Sequence, residues 1–245
     1  MRQLAAILVT GALAFFTGAA GAQTCPVHSF YKVMISPYIQ ASFVQGNEES
    51  VTINSCIVDS SKLHIEVHHG VLRVYLDGAR DIPHYEHNEG YNGNGHLYRD
   101  HSVVVTVHYK KLDAVSLRGE EKYLFESPMV ARDLRLWVYG ESTVIFTEVH
   151  IGKMHTTIYG QSTLDIRSGE VNRQNYTCYG EGKILGTAIA GRAAKVTAYG
   201  EAEFQVNVSD RIKLTAFGDA KLRYMGNPAI VKGIHLGDVD VKRME

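Results

Sequence analysis

The sequence predicts an all-β chain built as a parallel β-solenoid of about 20 residues per turn behind a β-rich N-terminal capping region. Two observations carry that prediction. Glycine recurs at positions 119, 140, 160, 180, 200, 218 and 237, at intervals of 21, 20, 20, 20, 18 and 19 residues by subtraction. Around each of these glycines the hydrophobic period is that of a strand and not of a helix. Val138, Ile158, Cys178, Ala198 and Ala216 stand two residues before the glycine, and Val144, Leu164, Ile184, Phe204 and Leu222 four residues after it. These positions point inward. Thr157, Thr177, Thr197 and Thr215 alternate with them before the glycine, and Thr143, Thr163, Lys183, Glu203 and Lys221 after it, as an outward face requires.

Each repeat therefore reads as a strand, a glycine corner, a second strand and a less regular return. Such a unit cannot bury its apolar face alone, so it stacks on its neighbours, each strand pairing in parallel with its counterpart one turn on. The corner selects glycine because it needs a positive φ or leaves no room for a Cβ. A leucine-rich repeat is excluded by the missing leucine and asparagine pattern, and a propeller blade by the short period.

The elements follow in chain order. Residues 1–22 read as a signal peptide: Arg2, an apolar run from Leu4 to Phe16, and Ala20-Gly21-Ala22 as the cleavage pattern before Gln23. The alternative, a lipid on Cys25, is disfavoured by Ala22-Gln23-Thr24 in front of it. The mature chain shows no further apolar stretch of membrane-spanning length, so a periplasmic, cell-surface or secreted protein is expected. Residues 23–112 form the N-terminal β-rich segment, with strand-like runs at Tyr38 to Val44, Ser50 to Ile57, Leu63 to Val67, Val71 to Leu76 and Val103 to Tyr109. His68-His69-Gly70 reads as a hairpin turn between two of them. These runs are either irregular first turns or a sheet that caps the open end. Residues 113–245 are the repetitive part, in which Gly226-Asn227-Pro228 breaks the pattern before one last short turn ending at Gly237.

Twenty-five basic residues against twenty-six acidic ones give no reason to expect nucleic acid or an anionic membrane as partner. Three cysteines in an oxidising compartment permit one disulfide. Cys25 and Cys56 lie outside the repeat and are the expected pair; Cys178 occupies an inward repeat position and reads as a small buried hydrophobe.

Stacking turns residue positions into rows. The residue before the glycine is Tyr139, Tyr159, Tyr179, Tyr199 and Phe217 in five successive turns. Neighbours in a parallel stack are about 4.8 Å apart, so the row spans about 19 Å. It is either a stabilising ladder or a platform for sugar rings or a protein partner. Directly after the glycine runs an acidic row, Glu120, Glu141, Gln161, Glu181, Glu201, Asp219 and Asp238. Its mutual repulsion calls for Lys183 and Lys221 nearby, for splaying into solvent, or for a bound Ca²⁺ between carboxylates. No chelating loop pattern accompanies the row, and no cofactor is expected.

The stretch Asp81 to His101 gathers His84, His87, His96 and His101 among glycines and asparagines. It offers transition-metal ligands, but without the fixed helical spacing of a zinc enzyme, and a polar loop is the simpler reading. Asn175-Tyr176-Thr177 and Asn207-Val208-Ser209 match the glycosylation triplet but lie in expected strands, and both are read as unmodified. No nucleophile elbow or catalytic triad is assignable.

From about Tyr38 onward the chain resembles the GIN domain, the head-domain family assigned to autotransporter adhesins. The resemblance rests on the N-terminal strand pairs with Gly46 and Val71-Leu72-Arg73-Val74, the recurrent glycine corner, and the closing Tyr224-Met225-Gly226-Asn227-Pro228. It implies a right-handed, β-helix-like fold, an adhesin-like surface-binding role and no catalytic residues. Two departures stand out: no C-terminal membrane-barrel segment is visible, and the aromatic row occupies positions where the family is expected to carry small residues. The expected function is thus a non-catalytic exported module presenting repeated rows to a surface carbohydrate or protein. The alternatives are a polysaccharide-active β-helix enzyme, which needs one irregular acid–base cluster in a groove, and a purely structural envelope scaffold.

Overall fold

The structure, a computed structural model, describes residues 22–79, 85–87, 94–96, 98 and 101–245. The expected signal peptide falls almost entirely outside the described residues, while Gln23 opens the first described strand, Gln23–Pro26.

The solenoid is real. Two large sheets wrap one core, and each turn contributes one strand to each sheet. The first sheet carries the strands that end at the glycine corner: Ala114–Gly119, Met129–Gly140, Val149–Gly160, Gly169–Tyr179, Ala193–Tyr199, Arg211–Phe217 and Ala229–Leu236. The second carries the shorter strands that leave it: Lys122–Phe125, Thr143–Phe146, Thr163–Ile166, Gly182–Gly186, Ala202–Asn207, Ala220–Met225 and Val239–Arg243. All these strands pair in parallel, one turn to the next, and the corner glycines 119, 140 and 160 stand opposite one another. The final turn, expected to end at Gly237, continues through Val239–Arg243 and so completes both sheets.

The period-two reading sets the core. Val138, Ile158, Cys178, Ala198 and Ala216 are fully buried, as are Val144, Leu164, Ile184, Phe204 and Leu222. Inside the second sheet Phe43, Phe125 and Phe146 stack with ring centroids 4.3 and 4.1 Å apart. That internal ladder escapes sequence reading because Phe43 comes from the N-terminal segment.

The N-terminal segment is both of the expected things. Lys32–Ile35 and Ile39–Gln45 form a solenoid turn parallel to Ala114–Gly119 and Lys122–Phe125. Val71–Leu76 and Val103–Tyr109 form a further parallel turn outside that one, so chain order and stacking order differ. Leu63–His68 and Ser50–Cys56 then pair antiparallel on the outermost strands. The Leu63–His68 to Val71–Leu76 hairpin closes through His69 at φ 51° and Gly70 at φ 74°, the two positive φ angles of a type I′ turn. An antiparallel cap ends the open parallel edge on this side.

The expected Cys25–Cys56 disulfide is not formed; both cysteines are free. The register explains why. Cys25 stands opposite Val51, and Cys56 lies five residues further along that strand, opposite Val103 of the other neighbour. At about 3.3 Å per residue the two are roughly 16 Å apart, far beyond disulfide reach. Cys178 is buried, and burial pushes its thiol up to about 12.

Candidate functional site

The corner glycines are required on both counts. Their φ values lie between 108° and 122°, a region closed to L side chains, and a Cβ on Gly160 would stand 2.4 Å from the Gly140 carbonyl oxygen. Successive corners therefore approach each other at backbone distance, and this locks the residue before each glycine into register.

That residue is the aromatic row, and the structure assembles it. Ring centroids from Tyr139 through Tyr159, Tyr179 and Tyr199 to Phe217 are 4.9, 4.8, 4.7 and 5.2 Å apart, with interplanar angles of 3–4°. The Arg118 guanidinium covers the outer face of Tyr139 at 5.4 Å from its centroid, and Leu236 stands opposite Phe217 at the other end. The ring faces are thus occupied by one another. What reaches solvent is the ring edges with their phenolic hydroxyls; Tyr159, Tyr179 and Tyr199 remain about 40% exposed. A row of this kind offers hydrogen-bonding tips at one-turn spacing and no open face on which a sugar ring could lie.

On one side of the tyrosines the acidic row lies fully at the surface: Glu120, Glu141, Glu181, Glu201 and Asp219 are all exposed, as is Gln161 between them. Splaying into solvent accommodates the repulsion. Lys183, expected to offset it, instead pairs with Glu203 at 3.4 Å on the second sheet. Asp219 accepts from the Asp238 backbone amide at 3.0 Å, so one carboxylate of the row serves the backbone of the next turn. On the other side runs a column of Trp137, Thr157, Thr177, Thr197 and Thr215.

The histidine set lies only partly within the described residues. His84 lies outside the described residues. The backbones of His87 and His96 belong to a small antiparallel pair, Tyr85–His87 with Asn94–His96, in which His96 stands opposite Tyr85 and His87 opposite Asn94. His101 lies at a turn with φ 56°. Among the described residues no three His, Cys, Asp or Glu side chains converge as a metal site.

Two features were not visible in the sequence. Glu121 is buried at the first corner, where its carboxylate accepts from the backbone amides of Tyr38 at 2.6 Å and Glu120 at 2.9 Å. In the next two turns the amide after the glycine donates to the previous corner's carbonyl, Glu141 to Gly119 and Gln161 to Gly140. Gly119 has a Pro37–Tyr38 bend before it instead of such a corner, and Glu121 supplies the acceptor. Burial pushes this carboxyl up to about 7, against the lowering effect of its amide donors. The second feature is a shallow depression of about 500 Å³ at the return bend, lined by His150, Gly152, Glu170, Asn172, Gly191 and Arg192. His150 lies 2.7 Å from Glu148 and 4.0 Å from Glu170, with all three side chains well exposed. An acid–base pair for glycoside chemistry needs a carboxyl held out of water, and the carboxyls lining this depression are exposed, while the buried Glu121 is not among its lining residues.

An all-β parallel solenoid with repeated outward rows is the class these features define. The family model described as "Putative auto-transporter adhesin, head GIN domain" matches residues 29–228, and the chain belongs to that family. No curated protein matches the chain. Among solved structures, a "putative adhesin" from Bacteroides fragilis superposes with a TM-score of 0.75 at 15% identity, covering 91% of this chain and 96% of its own. A "putative adhesin" from Parabacteroides merdae gives 0.65 at 16%, with 92% and 96% covered. A "putative lipid binding protein" from Parabacteroides distasonis gives 0.67 at 15%, again with 92% and 96% covered. At such identities the likeness is one of fold.

Proposed function

We propose that this chain is a non-catalytic, exported binding module that presents the outer face of its first sheet, beside the tyrosine corner, to a surface carbohydrate or protein. The observation that carries this reading is register-true repetition. The same outward position recurs on successive turns at about 4.8 Å, which suits contact along a length, whereas catalysis needs one desolvated point. Membership of an adhesin head family supports it.

The test uses Tyr159→Phe, Tyr179→Phe and Tyr199→Phe together, which keep the stacked rings and remove three hydroxyls. On a glycan array and on whole cells, the wild type is expected to be retained and to leave its ligand chemically unchanged. The triple variant is expected to bind at least about tenfold more weakly with an unaltered melting curve. Cleavage of the retained glycan, or undiminished binding by the triple variant, overturns the reading.

A further inference from the structure

The outer face of the first sheet carries a second pattern, which the strand register lines up. Two outward columns run parallel to the tyrosines beyond the threonine column. One holds Arg135, His155, Asn175, Lys195 and Lys213; the next holds Asp133, Lys153, Arg173, Ala193 and Arg211. Five successive turns therefore place a cation in one or other column, at Arg135, Lys153, Arg173, Lys195 and the pair Arg211 and Lys213.

These six cations have no carboxylate within ion-pair distance among the described residues; within the two columns the described ion pair is His155 with Asp133, at 3.9 Å. The second sheet differs. There Arg167 pairs with Asp165 at 3.0 Å, Lys183 with Glu203 at 3.4 Å, and Arg223 with Asp240 at 2.7 Å. The chain as a whole is nearly neutral, with a net charge of −1, whereas these two columns set six cations against one carboxylate, Asp133 opposite Lys153. Lys153 directly faces Arg173, and Lys195 faces Lys213, on paired strands, an arrangement that opposes folding unless an anion offsets it. The field is felt locally: His155 is lowered first by burial and then by Lys153, with Arg135 adding to the effect against Asp133.

We infer that this face binds an extended anionic polysaccharide, laid along the solenoid axis over the two basic columns, with the threonine and tyrosine hydroxyls taking sugar hydroxyls. The inference rests on the binding-module reading and names its ligand class. A cation per turn repeats at a spacing close to one sugar residue of an extended chain. The acidic row beyond the tyrosines repels a polyanion from the corner and so fixes its lateral position. Single-stranded nucleic acid is a poorer fit, because base stacking needs open aromatic faces and these rings cover one another. An anionic bilayer is also a poorer fit, since the exposed Ile234 and Leu236 sit at the end of the stack and not among the cations.

The experiment measures affinity of the mature protein for polygalacturonate, dextran sulfate, neutral dextran, single-stranded DNA and phosphatidylglycerol vesicles across a salt series. Three proteins are compared: wild type, Arg173→Gln with Lys195→Gln, and the control Lys183→Gln with Arg223→Gln on the other sheet. Wild type is expected to bind polygalacturonate or dextran sulfate and not dextran, with affinity falling steeply as salt rises. The two charged polymers separate carboxylate from sulfate recognition. The face variant is expected to lose at least about tenfold in affinity and part of the salt slope, with the control within about twofold of wild type. Equal losses in both variants, or no binding to either charged polysaccharide at low salt, overturn the inference. Tighter binding to the DNA or the vesicles overturns the polysaccharide assignment. If neutral glycans bind and the face variant is indifferent, this inference fails while the binding module stands; cleavage of a polymer overturns both.

Discussion

At the scale of single residues, the structure assigns distinct tasks to positions that look alike in the sequence. Glu121 follows Glu120, yet one is buried against two amides and the other faces water. Its pKa is raised by folding from 4.5 to about 7, so the folded state favours the neutral form. Its stabilising effect is complete below about pH 4.5 and is lost as pH rises to about 7, an effect on the order of 3 kcal/mol. Melting followed across that window should show a decline in wild type that flattens in Glu121→Gln; an equal slope in both proteins would contradict the assignment. Corner glycines make a second residue-level prediction. Gly160→Ala combines a φ of 111° with a collision at the Gly140 carbonyl and should cost about 2–4 kcal/mol in chemical denaturation, whereas Gly46→Ala, with nothing within 4 Å, should be nearly silent. Comparable losses at both sites would remove the corner from the explanation of the repeat.

At the scale of the strand and the turn, alternation decides what each substitution does. Leu164 is fully buried and its neighbour Thr163 faces outward. Leu164→Asp should cost at least about 3 kcal/mol through an unpaired buried charge, and Thr163→Asp less than about 1 kcal/mol. Thermal melts that rank the two equally would refute the strand phase. The period-two pattern and the glycine interval were enough to read this phase, because inward position, corner and spacing all lie within one repeat. The aromatic row was legible for the same reason. Its meaning was not, since only the observed stacking shows that the ring faces are taken up by their neighbours. The basic columns were legible in principle but easily missed: Arg135, Lys195 and Lys213 each stand five residues before their glycine and Lys153, Arg173 and Arg211 seven, and because the cation switches between the two positions from turn to turn, neither row reads as basic by itself. Chain order likewise concealed Glu121, whose partner Tyr38 lies 83 residues away. The Cys25–Cys56 pairing failed on the same ground: lying outside the repeat says nothing about which strand positions face each other.

At the scale of the whole molecule, the solenoid is a ruler. One end is closed by antiparallel strands, and between the ends the corner and its flanking columns repeat turn by turn. The tyrosine row runs about 20 Å from Tyr139 to Phe217 at the observed ring spacing. A surface of this form gains affinity from each additional ligand unit that lies over another turn, until the row is covered. The most direct measurement is calorimetric affinity of residues 23–245 for size-fractionated oligogalacturonates, from dimer upward. Affinity is expected to rise with each added sugar until the oligomer spans about 20 Å and then to level off, with the oligomers recovered intact. Affinity that is the same for the dimer and the longest oligomer, or recovery of shortened products, would contradict binding along the length of the solenoid.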